Sequence, residues 1–169
     1  ILLCTELKTK ELIEMEEARK VAEGLCTFID KSPSPYHAVE SVRLRLETEG
    51  FQRIRESGSW KSQLNIGDKY YYTRNGTSIV AFVIGSKFKP NSTDSRFLII
   101  GAHSDSPCFK VKPKSKIESN GYLQLGVECY GGALWYSWFD RDLTLAGRLI
   151  LSNHTNKLVH IERPILRIP

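Results

Sequence analysis

The chain has 169 residues, 41% hydrophobic and 25% charged, with 12 Gly and 7 Pro, a balance that excludes collagen-like, low-complexity and wholly disordered chains. At this length folding removes roughly two thirds of the unfolded chain's surface from water, so a core forms without disulfides or a structural metal. Net charge is +5, from 24 basic and 19 acidic residues that alternate over most of the chain, and so mild an excess gives no support to a nucleic-acid partner.

The first residues, Ile1-Leu2-Leu3-Cys4-Thr5-Glu6, lack the charged start, long apolar stretch and cleavage site of a secretory signal. The longest apolar runs, 79–85 and 97–102, fall far short of the ~20 residues of a membrane-crossing helix. The expectation is a cytoplasmic protein without a membrane partner. Cys4, Cys26, Cys108 and Cys129 are widely spaced with no C-x-x-C pair, as expected of reduced thiols. Sequons at Asn75, Asn91 and Asn153 carry no weight without a signal peptide. The chain starts without Met, holds only Met15, and stops at Pro169 after a strand-like run, which predicts a fragment.

Ala18, Val21, Ala22, Leu25, Phe28 and Ile29 recur at spacings of three and four, predicting an amphipathic helix over 12–30 with a packed apolar face. Ser32-Pro33-Ser34-Pro35 breaks it. Ser34 then offers a capping hydroxyl and Pro35 a preset first turn for a second helix, with Ala38, Val39, Val42 and Leu46 as its buried stripe. Gly50 is placed to end it in the left-handed conformation. Residues 51–55 alternate like a short strand, and 56–67 read as a loop that Trp60 could anchor. Residues 69–74 and 77–84 flank Asn75-Gly76, the signature of a tight hairpin. Residues 97–102 form a continuous apolar run, as expected of a central strand covered on both faces. From Pro107 onward short alternating strands dominate (121–129, 147–151, 158–161), predicting a second, β-rich unit.

The sharpest chemical feature is His103-Ser104-Asp105, at the end of that buried run, because open α/β sheets bind ligands at the carboxyl ends of their strands. A neutral imidazole is a zinc donor, and a carboxylate two residues on can accept its other N–H and fix the tautomer. The pattern also occurs by chance, as a strand-end His capped by a nearby Asp.

Longer stretches give it context: 32–39 (SPSPYHAV), 101–108 (GAHSDSPC), 126–132 (GVECYGG), 138–148 (WFDRDLTLAGR) and 162–169 (ERPILRIP). In these the chain resembles the aspartyl aminopeptidases, over nearly its whole length but only about the first third of a full-length member. The resemblance implies an α/β fold: the amino-terminal part of a zinc-aminopeptidase domain over 1–108, then the start of an inserted β-rich dimerisation domain over 109–169. It implies that His103 is a zinc ligand and Asp105 the catalytic-site carboxylate that orients it. Where the family commonly has Thr, this chain has Ser104, between the two functional side chains. Two zinc ions per site, peptides with N-terminal Asp or Glu as substrates, and dimers assembling into a larger shell are implied as well. The implied chemistry is hydrolysis in which two zinc ions acidify a bridging water and polarise the scissile carbonyl while a glutamate moves the proton. The remaining ligands and that glutamate have no counterpart before Pro169, so the chain alone is expected to be inactive and to bind zinc weakly. The alternative is a non-catalytic assembly or regulatory piece that joins full-length subunits through its β-rich region.

Other residues receive blander readings. His37 belongs to a helix start, His154 to a solvated loop and His160 to a sheet. Cys108, five residues after His103, invites a cysteine-nucleophile reading, which is set aside. No Gly-x-Ser-x-Gly elbow, phosphate-cradling loop or His-Glu-x-x-His helix occurs. Lys110, Lys112, Lys114 and Lys116 alternate, as on one face of an exposed edge strand. Residues 130–135 with Trp138 and Phe139 mix glycines with large aromatics, as suits a packed self-association surface.

Overall fold

The computed structural model describes residues 15–90, 92, 93 and 95–168, together with the backbone of 2–14. The side chain of Cys4, and Asn91 and Pro169, lie outside the described residues. The chain divides into two compact units, Ile1–Ala102 and His103–Pro169.

In the first unit, helix α1 (Leu2–Asp30) precedes helix α2 (Pro35–Thr48). The Ser34 hydroxyl accepts the His37 backbone N–H at 3.4 Å, satisfying a donor with no partner inside the helix, and Pro35 follows in the first turn. Gly50 takes the expected positive φ of +81° just past the helix. A three-stranded sheet follows in the order β1 (Gln52–Arg53), β2 (Lys69–Arg74), β3 (Ser78–Val83). β1 runs parallel to β2, and β2 and β3 form the predicted hairpin. At its tip Asn75 and Gly76 have φ of +54° and +70°, and the Thr77 N–H donates to the Arg74 carbonyl at 3.1 Å.

The alternation of a strand sends neighbouring tyrosines to opposite faces, and both are buried here. Tyr70 lies with Phe82 (centroids 5.8 Å apart), and Trp60 stacks on Phe82 at 5.8 Å while its indole N–H donates to the Arg55 carbonyl at 2.9 Å. The loop 56–67 is thus anchored by Trp60. On the other face the Tyr71 hydroxyl donates to Glu47 of α2, whose buried Ala38 and Val39 complete the small core with Ile54. Arg43 clamps Glu40 and Glu47, both at 2.6 Å.

Two expectations for this unit are corrected. The apolar face of α1 is largely open: Val21, Leu25 and Ile29 are exposed. Among the described residues, contact with α2 falls in the last turns of α1, where the Arg45 guanidinium lies over the Phe28 ring at 5.0 Å and donates to the Gly24 carbonyl at 3.3 Å. A single neighbouring helix covers only the strip of an apolar face that it touches and leaves the side chains flanking that strip in water. The run 97–102 forms no strand, and Phe97, Leu98, Ile99 and Ile100 are between 83% and 94% exposed. A central strand needs a hydrogen-bonded partner on each side, and none of the described strands pairs with it.

The second unit holds two hairpins. β4 (Cys108–Ser119) pairs with β5 (Tyr122–Tyr130), turning through Asn120 and Gly121 at φ of +51° and +79°, the same two-residue chemistry as at Asn75–Gly76. β6 (Asp142–Ile150) pairs with β7 (Asn156–Arg167). Each ladder slips once, between Val111 and Lys116 in β4 and opposite Leu143–Leu145 in β7. Pro113 and Pro164 lie inside these slips; proline has no N–H to give a ladder, so the extra residues loop out as a bulge. A short 3-10 helix, Trp135–Trp138, joins the hairpins, and its two tryptophans pack on Phe109 with centroids 5.0 and 5.1 Å away.

The lysine stripe is corrected by the first bulge, which interrupts strict alternation between Lys110 and Lys116. Lys110 lies over the Tyr130 ring at 3.7 Å, Lys112 pairs with Glu128 at 2.9 Å and Lys116 with Glu118 at 2.9 Å.

Candidate functional site

Residues 103–107 form no helix or strand and lead directly into β4. The His103 side chain is 81% exposed. Its Nδ1 stands 2.8 Å from the Asp105 backbone carbonyl and 3.2 Å from Asp105 Oδ1. A carbonyl and a carboxylate can only accept, so Nδ1 carries the proton and Nε2 keeps its lone pair in the neutral ring.

The other carboxylate oxygen has its own partner: the Tyr130 hydroxyl donates to Asp105 Oδ2 at 2.5 Å. This bond, ahead of every other influence, holds the Asp105 carboxyl below the usual range, and the same bond pushes the Tyr130 phenol up. Three groups from one unit therefore form a chain: Tyr130 hydroxyl, Asp105 carboxylate, His103 imidazole.

Tyr130 is absent from the residues singled out in the sequence for chemistry, and the ladder explains why. Counted strictly back from the Asn120–Gly121 turn, Cys108 would face Ala133. The slip at Pro113 sets it opposite Tyr130 instead, and the phenol then reaches Asp105, three residues before Cys108. Pro113 was the readable signal, though it does not state how many residues loop out.

The remaining candidates are placed as structural groups. His37 Nδ1 lies 2.7 Å from the Ser34 hydroxyl at the helix start. His154 is exposed at the β6–β7 turn with φ of +61°, and His160 pairs with Ala146 inside the ladder. Burial pushes the Cys108 thiol up, away from the thiolate a nucleophile requires. Among the described residues no group of three or more His, Cys, Asp or Glu stands together, and no helix is long and apolar enough to cross a membrane. His103 fits zinc through one oriented imidazole nitrogen, one share of a donor set that needs about three protein ligands.

The model of the family described as Aminopeptidase I zinc metalloprotease (M18) matches residues 28–169. An aspartyl aminopeptidase of Dictyostelium discoideum is 52% identical over 92% of this chain and 32% of its own length. In the cryo-EM structure of the Ape4 and Nbr1 complex, the matching chain is 45% identical with a TM-score of 0.84, over 90% of this chain and 29% of that one. The S. cerevisiae mApe1 dodecamer is 32% identical with a TM-score of 0.75, over 90% of this chain and 36% of that one. The chain thus spans about a third of the length of the relatives it matches.

Proposed function

This chain belongs to the M18 family of zinc metalloproteases, and from that premise we propose that it supplies one zinc ligand, His103, to an aminopeptidase that removes N-terminal Asp or Glu from peptides. The observation that carries the reading is the imidazole itself, with Nδ1 turned onto Asp105 and Nε2 left for a cation. Asp105 holds the tautomer and ring orientation and makes the imidazole a stronger donor. Bound zinc supplies Lewis-acid polarisation of the scissile carbonyl and acidification of water. The acidic-residue preference is supported by the name of the Dictyostelium relative, an aspartyl aminopeptidase. Two ions per site and homo-oligomeric assembly belong to the same proposal, the latter supported by the mApe1 dodecamer. So does the division into a peptidase part over 1–108 and a dimerisation part over 109–169.

The test is hydrolysis of an aspartyl naphthylamide by the full-length protein. His103→Ala is expected to lower turnover and zinc affinity by more than about 100-fold, beyond the range for groups that only support a ligand. The 169-residue chain alone is expected to show no turnover at stoichiometric zinc. Full activity and zinc affinity in the His103→Ala protein would refute the assignment, and turnover by the isolated chain would refute its inactivity. A full-length protein without peptidase activity would leave the assembly role.

A further inference from the structure

Asp105 divides its two oxygens between two partners: Oδ1 faces the His103 ring at 3.2 Å, and Oδ2 accepts the Tyr130 hydroxyl at 2.5 Å. A carboxylate bonded through one oxygen alone can rotate about its Cβ–Cγ bond; one held at both oxygens cannot turn without breaking a bond. The phenol is itself fixed from several sides. Tyr130 ends β5 opposite Cys108, and the Lys110 ammonium sits over its ring at 3.7 Å. Gly131 follows at φ of +83°, where a Cβ would stand 3.4 Å from Pro107, so the backbone beyond the tyrosine runs close beside the segment that carries His103 and Asp105.

We propose that Tyr130 is a positioning residue for the metal ligand: it locks the Asp105 carboxylate, which together with the Asp105 backbone carbonyl at 2.8 Å sets the orientation and tautomer of His103. The inference rests on the reading of His103 as a zinc ligand. The hairpin is therefore part of the site's support, with the register slip at Pro113 bringing the hydroxyl into reach.

The test measures zinc affinity of the full-length protein by competition with a chromophoric chelator. Tyr130→Phe, which keeps the ring beneath Lys110, is expected to weaken zinc binding about 10- to 100-fold, the range for groups behind a metal ligand. It is also expected to shift the visible absorption of the cobalt(II)-loaded protein, which a purely structural role would leave alone. Because the hydroxyl acts through the carboxylate, the double variant with Asp105→Asn should bind zinc no more weakly than Asp105→Asn by itself. Parent-like affinity in Tyr130→Phe, or losses that multiply in the double variant, would overturn the proposal. Should Tyr130→Phe not fold, Tyr130→Leu is measured with the same outcomes. His103→Ala separates the two levels: unchanged zinc affinity there defeats the ligand reading and this proposal with it. A collapse there beside a parent-like Tyr130→Phe defeats the positioning role alone.

Discussion

Residues 69–83 and 97–102 lie in the same unit and share a strand-like composition, yet one is a sealed hairpin and the other an open apolar segment. The hairpin finds its partner a few residues away across Asn75–Gly76, so loop closure costs little and every inner group pairs locally. It then covers one face with Trp60 and the other with α2, leaving Tyr70 and Tyr71 buried. Residues 97–102 have no ladder, and the side chains of 97–100 stay in water. Apolar composition sets where a strand is stable once its backbone is paired; it does not provide the pairing, which in parallel sheets comes from distant sequence.

The largest expected effect in this chain is Tyr71→Ala, which removes a fully buried ring and its bond to Glu47; about 3–5 kcal/mol of stability should be lost in urea unfolding. Gly76→Ala comes next. A Cβ there meets only the Tyr36 ring at 3.6 Å, so the cost is the positive φ itself, about 1–2 kcal/mol, whereas Gly101→Ala, with open space around it, should stay within about 0.5 kcal/mol. Equal costs at the two glycines would erase the contrast between the regions.

A pH series sharpens it further. The Tyr71 hydroxyl first, and Arg43 second, hold the Glu47 carboxyl below its usual range. A carboxylate with a lowered folded pKa stabilises the fold above its unfolded value, roughly 4.3, and that contribution disappears as pH falls through the folded value. The melting temperature should therefore drop on acidification below about pH 5, and Glu47→Gln should flatten that drop. The smallest effect is expected for Ile99→Ala, within about 0.5 kcal/mol in this chain. In the full-length protein the same change should cost about 2–5 kcal/mol if the segment is there a covered central strand. An equally small effect in both would show that these residues stay unpaired.

What was legible in the sequence was local chemistry. Ser34-Pro35 starts α2, Gly50 ends it, and Asn75-Gly76 turns the first hairpin, because each residue imposes its conformation within a few positions. The fate of 97–102 and of the α1 face was not legible, since both depend on what lies opposite. In the candidate site, His103 and Asp105 were readable as neighbours in sequence. Tyr130, 25 residues from Asp105, depended on a three-residue slip that no periodicity records.

The two slips, at Pro113 and at Pro164, have a further effect on the exposed ribbons. β4 and β7 are twelve residues each, long enough to invite a stray chain to zip alongside. Pro113 and Pro164 cut each into two short runs, so an intruding strand meets a missing donor and a kink after a few rungs. The prolines thus guard against fibril growth along the lengths where these ribbons would otherwise make ready templates.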